Sequence, residues 1–400
     1  MDAPREPSIA SSRRAPFVSA ADSDRQGQRA AGRTESAAYL SRQLITYLGN
    51  KRALLGPIAE AVSRVKQRMG KERLRIVDLF AGSGVVSRFF KAHSAHLISN
   101  DFEDYAAVVG RCYLRNRSTI DEASLREWVA RLNEQVDEDR PRGFFEELYA
   151  PRDEARITAA DRVFYTRRNA RRLDNYRRLI DTAPCAIRDL LLGPLLSAAS
   201  IHANTAGVFK GFYKNRETGI GQFGGTGGDS LARITGAIRL EPPVLSRFEC
   251  DCEVWQEDAN AAARKIRDAD LVYLDPPYNQ HPYGSNYFML NLLVHYRRPG
   301  RVSPVSGIPS DWRRSGYNVR SQAAGLFQDL LDTLDSHYLL VSFNNEGFIG
   351  PSRMRAMLER YGTVEQFETR YNAFRGCRNL RQRPVHVKEQ LYLVERNGKR

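Results

Sequence analysis

Residues 74 to 80 read Leu-Arg-Ile-Val-Asp-Leu-Phe, an apolar run that ends in Ala81-Gly82-Ser83-Gly84 and passes into Val85-Val86-Ser87-Arg88-Phe89-Phe90. This pattern predicts a strand, a tight glycine turn and a helix, the opening of a Rossmann-like unit. A second strand is predicted over His96-Leu97-Ile98-Ser99-Asn100-Asp101, which places an acidic residue at its carboxyl end. Two more apolar runs, Asp270 to Leu274 and Tyr338 to Phe343, fit further parallel strands. Val364 to Tyr371 and Val387 to Val394 alternate polar and apolar positions and are expected to pair antiparallel at the edge.

Between these α/β stretches, residues 105–249 follow a mostly helical pattern. The spacing of Arg167, Arg168, Arg171, Arg172, Arg177 and Arg178 lays a basic stripe along one helical face. The glycine-rich stretch from Gly219 to Gly228 is expected to be too flexible for the core. Residues 1–36, rich in Ser, Ala, Arg and Gln, cannot bury enough surface to offset ordering entropy and are expected to be a disordered tail. The remaining boundaries fall at 37–104, 105–249 and 250–400.

Composition narrows the classes. The 400 residues suffice for a large domain with a smaller insertion. No apolar run reaches the ~20 residues of a bilayer span, and the N-terminus lacks a signal-peptide core, so a cytoplasmic address is expected. The five cysteines lack paired C-x-x-C spacing, so neither disulfides nor a metal site are expected. The net charge of +14, carried largely by Arg, favours a polyanionic partner.

The chemistry-bearing segments fit methyl transfer to an amine. In Asp78 to Gly84, the glycines let the backbone approach a cofactor closely, and Asp78 can hold an ammonium group. Asp101 stands where an acidic side chain accepts hydrogen bonds from ribose hydroxyls. A dinucleotide fingerprint would require a third glycine where Ser87 stands. Asp275-Pro276-Pro277-Tyr278 is more specific. It ends a strongly apolar strand, where open α/β sheets bind ligands. The Asp275 carboxylate and Pro276 carbonyl can accept hydrogen bonds from both N–H groups of an exocyclic amine, two prolines stiffen the loop, and Tyr278 offers a face for an extruded base.

With these motifs in this order, the chain resembles the N6-adenine DNA methyltransferases of the Dam-like, alpha-ordered family, particularly modification enzymes of restriction systems. The resemblance runs from about residue 40 to 396. Tyr47-Leu48-Gly49-Asn50-Lys51 is similar to the family's N-terminal cofactor motif, Asp78 to Gly84 (with Phe80, Gly82 and Ser83) to its glycine motif, and Asp275 to Tyr278 to its catalytic motif. Tyr47 replaces a frequent Trp and Asn50 a frequent Gly, and His281-Pro282 departs from the family's usual segment.

The resemblance implies a class I fold, a mostly parallel seven-stranded sheet with helices on both faces and an inserted, largely helical target-recognition region. It implies S-adenosylmethionine as cofactor, with Tyr47, Gly49 and Lys51 against it, Asp101 on its ribose and Asp258 on its adenine ring, Glu257 being the competing candidate. Double-stranded DNA is the implied partner, a cognate restriction endonuclease a candidate one, and a monomer the expected state. Candidate DNA contacts are Arg167, Arg168, Arg171, Arg172, Lys210, Lys214, Arg375 and Arg378; a solvated helix face explains any single Arg of the stripe equally well. N4-cytosine methylation, an RNA substrate and a catalytically silent DNA-binding relative are the alternatives.

Overall fold

The computed structural model describes residues 34–225, 230–344, 347–372 and 386–398. From Glu35 onward the chain forms one compact unit. The expected tail lies outside the described residues except for positions 34 to 36.

Seven strands share one sheet: β1 (Leu74–Asp78), β2 (Ser94–Asn100), β3 (Asp251–Trp255), β4 (Ala269–Leu274), β5 (Ser336–Asn344), β6 (Gly362–Asn372) and β7 (His386–Arg396). Their order is β3-β2-β1-β4-β5-β7-β6. β1 to β5 pair in parallel, and β7 runs antiparallel to both β5 and β6. The sheet is therefore mixed, with the closing antiparallel pair at the positions the alternating pattern indicates. Parallel strands direct their carboxyl ends to one edge. The chain order reverses between β1 and β4, which opens a crevice beyond Asp78 and Leu274.

The helices preceding β3 are α1 (Ala37–Ser41), α2 (Leu55–Met69), α3 (Val85–Lys91), α4 (Asp104–Tyr113), α5 (Glu122–Gln135), α6 (Phe144–Tyr149), α7 (Arg167–Asp181), α8 (Cys185–Ile201) and α9 (Leu231–Thr235). Those following are α10 (Ala259–Ala263), α11 (Tyr283–Asn286), α12 (Phe288–His295), α13 (Arg320–Thr333) and α14 (Pro351–Glu359).

Strand alternation divides the sheet's side chains between two cores. Leu74, Ile76, Leu271, Tyr273 and Leu340 face α2 and α3. Val77, Val272, Leu274, Leu339 and Val341 face α10, α13 and α14. All six positions of β4 are buried, as a strand covered on both faces requires. A third core lies among α4 to α8 and α12, built on Tyr105, Leu125, Phe145, Tyr176, Leu191 and Leu290.

In that helical layer the arginine stripe of α7 is partly interior. Arg172 is 9% exposed, donates from Nε to Asp137 (2.7 Å) and from Nη1 to the Ile238 carbonyl (2.8 Å). Arg177, equally buried, donates to the Leu293 and Val294 carbonyls at 2.9 and 3.1 Å. Arg167 and Arg171 reach the buried Glu146 carboxylate at 3.1 and 3.2 Å. The stripe expected along one helical face is thus only partly available to a DNA partner: the guanidinium fork has donors enough to satisfy loop carbonyls and acids inside the layer.

The glycine-rich stretch is corrected too, for residues up to 225. Gly221 is buried, and a Cβ there would fall 2.4 Å from Val163. Asn204 holds this loop: its Nδ2 donates to the Val163 and Gln222 carbonyls (2.7 and 2.8 Å), and its Oδ1 accepts from the Gly224 N–H (3.0 Å). Among the described residues, no helix is long and apolar enough to cross a membrane.

Because Leu271 is fully buried in the central strand, Leu271→Ala should destabilise the fold by ~2–5 kcal/mol, whereas Leu231→Ala, at a 44% exposed site, should stay within ~0.5 kcal/mol in urea unfolding.

Candidate active site

The β1–α3 turn is shaped by two glycines with positive φ, Gly82 at 53° and Gly84 at 73°, a region that side chains other than glycine rarely adopt. The Gly82 N–H donates to Asp101 Oδ2 (2.7 Å), and the Glu103 N–H to Asp101 Oδ1 (2.9 Å), so the acid at the end of β2 fixes the turn after β1. A Cβ on Gly82 would sit 2.9 Å from the Tyr47 ring. That ring stacks on Tyr283 and Tyr287, with centroids 5.1 and 4.8 Å away, and its hydroxyl meets that of Tyr105 at 3.1 Å. Segment 47–51 thus presses the glycine turn from one side and α11 from the other.

Asp78 is buried at the end of β1. The Ser87 hydroxyl, one helical turn into α3, donates to its Oδ2 (2.6 Å), while its Oδ1 has no hydrogen-bond partner among the described residues. Burial raises its carboxyl to about 7; the Ser87 bond opposes this and the Asp275 charge adds to it.

Across the crevice, the Lys51 ammonium lies between two carboxylates, 3.0 Å from Asp275 Oδ1 and 2.9 Å from Glu389 Oε1 on β7. The Ser342 hydroxyl donates to the same Glu389 oxygen (2.8 Å). Burial alone would depress the Lys51 ammonium, but Asp275 and Glu389 outweigh it and hold it well above its ordinary value. Burial also raises Asp275, to about 7: the ammonium pulls it down, but that ammonium is shared, and the Glu389 charge pushes the other way.

Asp78, Gly82, Ser83, Asp101, Tyr47, Gly49, Lys51, Asp258, Asp275 and Pro277 line one cleft of about 880 Å³ including its open mouth. That volume suits a molecule the size of a nucleoside derivative. Tyr278 stands beside it, in an adjoining hollow lined also by Pro276, Phe343 and Phe348, with its ring edge-on to Phe343 at 5.6 Å. An acidic wall with a carboxyl oxygen that has no hydrogen-bond partner among the described residues, facing a proline-stiffened loop, can bind a cationic polar ligand and present an acceptor to an amine.

A sequence profile of the D12 class N6 adenine-specific DNA methyltransferases matches residues 47–302, well over half of the chain. The chain belongs to that family. It is 28% identical to the type II methyltransferase M.NlaIII of Neisseria lactamica over 366 residues, covering 88% of this chain and 99% of that one. It is 26% identical to the type II methyltransferase M.CviAII of Paramecium bursaria Chlorella virus 1, covering 83% and 93%. The modification methylase StsI of Streptococcus sanguinis is also 26% identical, over 88% of this chain but 52% of its own length.

In this adenine-specific DNA methyltransferase, the structure brings the glycine turn, segment 47–51 and Asp275 into one cleft. Gly84 caps α3 with a left-handed backbone, and Phe80 lines the cleft edge-on to Tyr317. Asp258 and Glu257 both line the cleft; Asp258 caps α10, accepting from the Asn260 and Ala261 N–H groups, and Glu257 accepts from the Lys265 ammonium at 2.6 Å. Lys210 and Lys214 are exposed on the loop held by Asn204, and the Phe209 N–H donates to the Asn286 carbonyl of α11 (2.7 Å). Arg168 is exposed, 3.7 Å from Asp137. Arg172, being buried, is withdrawn from the surface contacts. Arg375 and Arg378 lie outside the described residues. No group of three metal-ligating side chains occurs among the described residues.

Sequence reasoning missed Ser87, Glu389 and Ser342. Ser87 is legible there only as an absent glycine; its hydroxyl serves Asp78. For Gly82→Ala, positive φ and the Tyr47 ring combine against the new Cβ, so methylation of duplex DNA should fall at least ~10-fold with a lowered melting midpoint.

Proposed function

We propose that this methyltransferase is the modification enzyme of a restriction-modification system, methylating the N6 of an adenine flipped out of duplex DNA, with S-adenosylmethionine held in the cleft beside Gly82. The observation that carries the reading is that Asp275, at the end of β4, and the glycine turn after β1 line the same cleft at the point where strand order reverses. The type II relatives named above, two of them matched along nearly their whole length, support the modification role.

The residues suit the cofactor. Asp78 Oδ1, without a hydrogen-bond partner among the described residues, fits its ammonium group, Asp101 and Asp258 suit its ribose and adenine, and a cleft rich in carboxylates favours a cation. S-adenosylmethionine supplies an electrophilic methyl carbon on a sulfonium. The protein's share is to orient and polarise the amine. Ionised Asp275 accepts one N6–H and the Pro276 carbonyl the other, which draws the lone pair out of the ring toward the attack direction. Tyr278 stacks on the base, and the two prolines keep both acceptors in place.

We assign target recognition to residues 105–249, flanked by the cofactor half, 37–104, and the catalytic half, 250–400. Lys210 and Lys214, exposed and in no ion pair among the described residues, are carried by the loop whose Phe209 N–H bonds to α11, and are the leading phosphate contacts. Arg167, Arg168 and Arg171 are secondary, since acids compete for them.

Asp275→Ala is expected to keep cofactor and DNA affinity within about tenfold and to lower single-turnover methylation by ~10²-fold or more. Digestion of the product to nucleosides should give N6-methyladenine; N4-methylcytosine as sole product would refute the base assignment. DNA affinity should fall by about 0.9 log units per log unit of salt for each phosphate neutralised, and Lys210→Ala with Lys214→Ala should flatten that slope by close to two contacts; an unchanged slope removes the loop from the interface.

A further inference from the structure

An ammonium inside a cofactor cleft is unwelcome beside a sulfonium unless something else claims its charge. Lys51 is 4% exposed, and both of its carboxylate neighbours are on the sheet: Asp275 follows β4 and Glu389 lies on β7, itself 1% exposed. β5 separates these strands and contributes Ser342, whose hydroxyl tethers Glu389. The backbone before Lys51 leans on the same loop: a Cβ on Gly49 would meet the Tyr278 and Tyr283 hydroxyls at 3.4 and 3.5 Å, and the Lys51 Nζ lies 5.5 Å from the Tyr278 ring centroid. Lys51 therefore holds the catalytic loop rather than simply lining the cofactor pocket.

We propose that Lys51 and Glu389 are a positioning pair for methyl transfer, Lys51 fixing the Asp275 carboxylate toward the cleft and Glu389 fixing Lys51. This rests on the reading of Asp275 as the acceptor of the adenine amine. The pair does two jobs. Lys51 favours the ionised form of the buried Asp275 carboxyl, which accepts an N–H more strongly than the neutral form. Glu389 takes half of the ammonium's attention, so Asp275 keeps the basicity that makes it a strong acceptor, and the site carries no net positive charge toward a cationic donor. The other ionisable groups facing Asp275 are Asp78 from β1, Tyr273 within β4, Tyr278 in its own loop and Tyr283 from α11. The buried Tyr273 and Tyr283, pushed up by desolvation, stay neutral across the working range. Asp78 is the carboxyl group opposite, and none of the substitutions below replaces it.

The test is single-turnover methylation of duplex DNA at saturating cofactor between pH 5.5 and 9.5, with S-adenosylhomocysteine affinity and melting midpoint measured alongside. Lys51→Met should move the acid limb up by ~1 pH unit or more and cut the rate at pH 7 by ~10²-fold, with partial recovery at high pH. Glu389→Gln should move the limb down and lower the plateau by ~10-fold, because the ammonium then belongs to Asp275 alone. Glu389→Asp, which keeps the charge, should retain the original limb. S-adenosylhomocysteine affinity should change less than ~3-fold in each, because the pair acts on Asp275 rather than on the cofactor. Limbs that stay put in folded variants overturn the proposal, and so does loss of cofactor affinity in step with rate. If Glu389→Gln does not fold, the Lys51→Met limb decides. Carbon-13 titration of the Asp275 carboxyl, assigned with Asp275→Asn, reads the same opposed shifts without turnover. Protein that methylates no adenine yet shows those shifts would refute the function and leave the pair standing; a titration that moves in neither variant refutes the pair alone.

Discussion

An ammonium and two carboxyl groups can share a buried site only if each is held by the others, since a charge removed from water costs several kcal/mol that its partners must offset. Lys51, Asp275 and Glu389 meet that condition, and meeting it ties together parts of the chain that are far apart in sequence: the segment before α2, the loop after β4 and the final strand. The catalytic loop is therefore braced by the sheet and by the N-terminal segment together. The crevice at the strand reversal lies beside this cluster.

The opposite wall is built on a different principle. There the backbone dominates: two left-handed glycines shape the turn and leave space for the Tyr47 ring, while Asp101 accepts from the Gly82 N–H and Ser87 donates to Asp78. Asp78 Oδ1, buried and without a hydrogen-bond partner among the described residues, sits in this wall. Acceptors arranged in advance cost no reorganisation when a ligand arrives.

Much of this architecture is legible in the amino-acid sequence. The strand runs at 74–78, 96–100, 270–274 and 338–343 are largely apolar because both of their faces are covered, so their pattern is strong, and the last pair follows as two adjacent strands of the same sheet. The Asp275 tetrapeptide stands out by composition. Glu389 does not, because a glutamate in a strand normally reads as a solvent-facing position, and only the tertiary pairing of β7 with β5 turns it inward. The α7 arginines mislead for the converse reason: helical spacing groups side chains by angle, but it cannot say how much of the circumference neighbouring helices cover. Arg172 and Arg177 fall on the covered part. The loop after α8 looks loose because of its glycines, whereas the bonds made by Asn204 show that small residues are needed there for close packing.

The Tyr47 ring has one face set by the cofactor turn and its other contacts set by α11, whose backbone also accepts the Phe209 N–H from the basic loop. One aromatic plate thus connects the glycine turn to the helix that anchors the basic loop. Linkage makes such a connection reciprocal: whatever free energy duplex binding puts into settling Tyr283 and Tyr287 reappears, with equal size and the same sign, in the grip on the methyl donor. With duplex and donor seated as proposed, the size of that shared term is the same whichever of them arrives first.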